Sequence, residues 1–78
     1  MSCYIKRFIS EKAYVDYGFV PFVTNDYFYQ SCGDGNRLFI NRKTKEVSLD
    51  YKVNSIDFFL PLLRMYNDKI IEFRSIYD

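Results

Sequence analysis

The chain has 78 residues, with 11 Lys and Arg against 10 Asp and Glu, no histidine and two cysteines. A formal net charge of +1 gives no one-signed field for gathering nucleic acid or an acidic membrane. The missing imidazole removes Ser–His–Asp and Cys–His catalysis and most zinc sites. A chain of this size is expected to form a single small α+β domain over 1–78, whose core is marginal unless large side chains fill it.

Large side chains are supplied. Eight Phe and eight Tyr stand in a chain that is 49% hydrophobic, and each buried ring removes roughly 150–250 Å² from water. Eight tyrosines exceed what so small a core can bury with every hydroxyl paired, so some are expected on the surface, where Tyr suits protein contacts. Cys3 and Cys32, with no CxxC, read as free thiols of a reducing compartment. Lys6, Arg7 and Lys12 occupy the place of a secretory apolar segment, and the run Tyr17–Val23 is too short to span a bilayer. A cytoplasmic location is expected.

In chain order, Ile5, Phe8, Ile9 and Ala13 fall at helical spacing, and residues 1–13 lean towards helix, with strand alternation an alternative over the first half. The β-branched and aromatic run from Ala13 to Val23 favours a short strand around Tyr14–Tyr17, broken by Gly18 and Pro21. Thr24, Asn25 and Asp26 mark a turn. A meander of antiparallel strands at about 27–32, 37–41 and 46–51 follows, its connections being Gly33-Asp34-Gly35-Asn36 and the polar run Asn41–Lys45. Leu38 and Ile40 share one face of the second strand; Val47, Leu49 and Tyr51 share the buried face of the third.

A helix is expected over roughly 55–66, capped by Asn54 or by Asp57. Pro61 favours the later start, because proline in a helix interior costs ~3 kcal/mol or more. Ile56, Phe59, Leu60 and Leu63 form its apolar stripe, predicted to pack on Val47 and Leu49. The tail from Lys69 to Asp78 fits helix and strand equally well.

Several of these residues together resemble the C-terminal part of the SUKH superfamily of immunity proteins, over about residues 18–66. The matching positions are Pro21-Phe22, Asp34-Gly35-Asn36, Leu38-Phe39-Ile40, Thr44-Lys45-Glu46-Val47, and Asn54-Ser55 running into Phe58-Phe59-Leu60. The resemblance implies a protein that binds and neutralises a toxin, usually a nuclease or deaminase. It carries over no catalytic residue.

Gly33–Asn36 lacks the distal Glu of a calcium loop and precedes a strand, where a phosphate loop opens a helix; a hairpin turn is expected. Cys32 beside Asp34 lacks a neighbour that would lower its pKa. Arg37, Arg42, Lys43, Lys45 and Lys52, with Phe39 and Tyr51, form a candidate strip for single-stranded nucleic acid, although Glu46 and Asp50 interrupt it. The expected function is therefore non-catalytic binding of another protein, without cofactor or metal: an immunity-type inhibitor of a toxin, or a phage or mobile-element inhibitor of a host defence enzyme. Tyr27 and Tyr29 on an outer strand face, Asp34 and Asn36 at one hairpin tip, and Arg42 and Lys43 at the next are the expected partner contacts.

Overall fold

The structure, a computed structural model, describes residues 2–22, 26–33, 35–50 and 60–74. Among these described residues the fold is α+β, a six-stranded antiparallel sheet carrying two helices on one face. The strands are β1 (Ser2–Ile5), β2 (Val20–Pro21), β3 (Tyr27–Ser31), β4 (Arg37–Asn41), β5 (Glu46–Asp50) and β6 (Ile71–Arg74). The helices are α1 (Glu11–Asp16) and α2 (Leu60–Asn67). Spatial order across the sheet is β2-β3-β4-β5-β1-β6.

The expected meander is present as β3, β4 and β5, in register Phe28↔Ile40↔Val47 and Gln30↔Leu38↔Leu49. Its first turn uses Gly33 and Gly35, both at φ 80, closed by Cys32 N–H donating to the Asn36 carbonyl and Asn36 N–H to that of Gly33, each at 2.8 Å. In the second turn the Asn41 Oδ1 accepts the amides of Lys43 and Thr44 at 2.9 and 3.0 Å. Lys45 then takes the left-handed conformation, φ 69, that such a hairpin requires after its reversal.

The N-terminal part departs from expectation. Residues 2–5 take the strand alternative and not the favoured helix, and β1 lies between β5 and β6 with Cys3 opposite both Val47 and Phe73. The expected strand at Tyr14–Tyr17 is instead the last turn of α1. Ser10 stands at the N-cap position in extended conformation, without a side-chain cap bond, and Glu11 places an acid in the first turn. Gly18, φ 92, ends it: Phe19 N–H reaches the Tyr14 carbonyl and Gly18 N–H that of Val15, both at 3.0 Å. That is a Schellman ending, with buried Tyr14 and Phe19 as its apolar pair. Tertiary burial of the Tyr14 ring outweighs the β-propensity of Tyr14, Val15 and Tyr17.

The second helix closes in the same way. Ile70 N–H donates to the Met65 carbonyl at 3.1 Å and Lys69 N–H to that of Tyr66 at 3.0 Å, with Lys69 at φ 62 in the place Gly18 holds in α1. The expected apolar stripe is corrected here. Leu60 and Leu63 are more than half exposed, and the helix packs through Met65 and Leu62. Pro61 sits in the first turn of the observed helix, where its missing amide costs little. The expected positions of Ile56 and Phe59, the caps Asn54 and Asp57, and Tyr51 lie outside the described residues. Within the ambiguous tail, Ile71–Arg74 form strand β6, and residues 75–78 lie outside the described residues.

The core lies between the helices and one sheet face. Ile5, Tyr14, Phe19, Leu38, Ile40 and Met65 are its most enclosed members. Tyr14 meets Phe28 edge-on at 5.1 Å, and its hydroxyl accepts from the Lys45 Nζ at 3.3 Å. Leu49, expected to be buried, is 45% exposed, beside a groove of about 410 Å³ that it lines with Cys3, Val47, Leu62 and Phe73.

Candidate functional site: the open face of the sheet

Strand alternation sends every second side chain away from the helices. Register places them in rows: Tyr27, Asn41, Glu46, Tyr4 and Glu72 in one; Val20, Tyr29, Phe39, Ser48, Ser2 and Arg74 in the next; Ser31, Arg37 and Asp50 in a third. Neither described helix packs on this face.

Its centre is aromatic. Phe22, whose amide donates to the Tyr27 carbonyl at 2.8 Å, stands edge-on to Tyr29 at 5.5 Å and to Phe39 at 5.8 Å. Tyr27 meets Phe39 edge-on at 6.0 Å, and Tyr29 lies tilted to it at 6.2 Å. These half-buried rings hold one another in place, so they present an apolar surface at low entropic cost. Two arginines flank them: Arg37 lies 5.7 Å from the Phe39 centroid, and Arg74 lies 4.3 Å from that of Tyr4.

Both arginines are bonded to acids. Arg37 pairs with Asp50 at 3.2 Å across β4 and β5, and Arg74 Nε donates to Glu72 at 2.9 Å along β6. Among the described residues of this face, Arg37 and Arg74 stand against Glu46, Asp50 and Glu72. Each of these arginines is met by an acid, with Glu46 in excess, so the described residues of the face offer no unopposed base of the kind phosphate contacts require.

The sequence-predicted contact residues divide accordingly. Tyr27 and Tyr29 lie together in the ring cluster. Lys43 is exposed at the tip of the β4–β5 turn. Arg42 belongs to the other side: its guanidinium lies 5.3 Å from the Phe28 centroid and donates to Glu11 at 2.9 and 3.2 Å, tying α1 to the sheet. Asn36 is corrected outright. It is 0% exposed, closing the β3–β4 turn from within, and cannot touch a partner. Asp34 lies outside the described residues. Sequence reasoning missed Phe22, Tyr4 and Arg74. The edge position of Pro21 was a signal for Phe22, but the place of Tyr4 depends on β1 entering the sheet.

The thiols are unsuited to nucleophilic work. Burial pushes Cys3 up to about 11 and also raises Cys32, so both are protonated near neutrality. Among the described residues no group of three or more His, Cys, Asp or Glu is placed to hold a metal ion. A second groove, about 480 Å³, lies between α2 and the β3–β4 turn, lined by Tyr17, Gln30, Cys32 and Arg64. There the Tyr17 hydroxyl donates to Asp68 at 2.5 Å, which holds the phenol above its usual pKa. No described helix is long and apolar enough to cross a membrane. Comparisons with protein-family models, curated proteins and solved structures find no match.

Proposed function

We propose that this chain is a non-catalytic inhibitor acting in the cytoplasm, an immunity-type protein that neutralises a toxin by direct contact through the open face of its sheet. The observation that carries the reading is the fixed cluster of Phe22, Tyr27, Tyr29 and Phe39, framed by arginines whose charges are already matched. A rigid aromatic centre within a polar rim is the anatomy of a protein contact surface. The SUKH resemblance supplies the class of partner, a nuclease or deaminase toxin. The same surface would serve an inhibitor of a host defence enzyme, and the identity of the captured protein separates the two.

The decisive experiment is capture by the purified chain from its native host, with Tyr29→Ala and Phe39→Ala as paired controls. The expected result is a stoichiometric protein partner lost in both variants, with circular dichroism unchanged. Stacking of Arg37 on Phe39 and Arg74 on Tyr4 favours a second reading, single-stranded nucleic acid on an aromatic sheet. Retention on single-stranded DNA that collapses with added salt would establish that reading and refute the first. Substrate turnover by the purified chain alone would refute both.

A further inference from the structure

The two edges of the sheet are built differently. At one end β2 is two residues long and contains Pro21, which blunts that edge against further pairing. At the other, β6 has neither proline nor lysine over its four residues, Ile71–Arg74. Its ladder phase is fixed by Lys6 N–H donating to the Ile70 carbonyl at 2.9 Å, with Ile5 opposite Ile71. The backbone groups of Glu72 and Arg74 therefore turn inwards to β1, and those of Ile71 and Phe73 turn outwards. Phe73 is 50% exposed, with the 55% exposed Tyr66 ring 5.9 Å away.

We propose that β6 pairs antiparallel with β6 of a second copy of this chain, about a two-fold axis at Phe73. Charge selects this partner and this register. Outward-facing residues must meet outward-facing residues, so the axis falls at Ile71, Glu72, Phe73 or Arg74; centring at Ile71 sets Glu72 against Ile70 and gives it no opposite charge across the seam. Centring at Glu72 sets two glutamates opposite each other, and centring at Arg74 sets two arginines opposite each other, both unfavourable. Centring at Phe73 makes the two phenylalanines a hydrogen-bonded pair and sets each Glu72 against the Arg74 of the other copy, twice by symmetry. Four charges then alternate across the seam, replacing two isolated Glu72–Arg74 pairs that are each about 40% exposed. The near-neutral chain raises no general repulsion against self-association. Such a dimer continues the sheet and presents both aromatic faces on the same side, a consequence that goes beyond the binding reading above and does not depend on it.

Sedimentation velocity over a wide concentration range tests the pairing on the full chain. Wild type is expected to dimerise reversibly; Glu72→Arg weakens dimerisation about tenfold or more by facing like charges twice; and adding Arg74→Glu to it restores most of the loss. Wild type that remains monomeric into the high-micromolar range overturns the proposal. So does a dimer indifferent to Glu72→Arg, or one that the double variant fails to restore. Should a variant not fold, amide exchange on wild type decides. Protection of the Phe73 N–H that rises with concentration supports the pairing, and protection independent of concentration refutes it.

Discussion

Leu38 and Leu49 face each other across β4 and β5 on the same side of the sheet, yet Leu38 is 0% exposed and Leu49 is 45% exposed. Identical truncations of these neighbours should therefore cost different amounts. Leu38→Ala removes methyl groups of a side chain with no exposure and leaves a cavity, which places its cost at about 2–5 kcal/mol. Leu49→Ala removes a side chain that borders the groove beside Phe73. It forfeits about half of a buried leucine's transfer energy and adds no closed cavity, so roughly 1 kcal/mol is expected. For a chain whose whole stability is on the order of 4–12 kcal/mol, the first loss is a large fraction and the second is tolerable. Urea titration followed by circular dichroism measures both, and a constant m-value assures that the unfolded state is unchanged. In thermal scans the gap corresponds to roughly 4–8 °C per kcal/mol. Equal losses for the two variants would refute a core centred on Leu38 and Ile40 and would place Leu49 inside it.

Lys69→Gly should stabilise the domain by about 0.5–1 kcal/mol. Glycine relieves the left-handed backbone at φ 62 but gives the unfolded chain more freedom; chemical denaturation reads the net. Asn36→Ala, at a site with no exposure, should cost roughly 1–3 kcal/mol by leaving buried polar partners unmet, and unfolding titrations would show no loss if Asn36 were a surface contact residue. Burial raises Cys3 from 9.0 in the unfolded reference to about 11, so its contribution to stability is fully present below pH 9 and is lost as pH rises through 11. Alkylation of Cys3 should accordingly be slow at pH 8 and climb towards pH 11, and a midpoint near 9 would mean that the thiol is not buried.

Much of the middle of the chain was legible because its signals are local. Alternation in β4 and β5, the paired glycines of the first turn and the Asn41 side chain of the second act within a few residues of one another. That range also made Tyr27 and Tyr29 readable as outward-facing. A turn residue is usually solvated, so the sequence reads Asn36 as exposed, whereas the fold leaves it with no exposure. The run from Ala13 to Val23 was misread for a related reason. In the sequence Gly18 reads as a break in a strand, whereas it is the left-handed residue that ends a helix. The pairing of Tyr14 with Phe19 that supports this ending is visible only once both are buried.

By itself the sequence determined the α+β class, the three-stranded meander and the absence of imidazole chemistry, since these follow from composition and from contacts between near neighbours in the chain. Tertiary structure alone decided that β1 enters between β5 and β6 and that Tyr4 and Arg74 join the aromatic face. It also decided that α2 packs through Met65 and that β6, without proline or lysine, forms an edge of the sheet among the described residues. Those outcomes depend on contacts between residues some 70 positions apart, such as Cys3 and Phe73. Their free energy comes from surfaces that meet only when the chain closes, and no local pattern records which surfaces those will be.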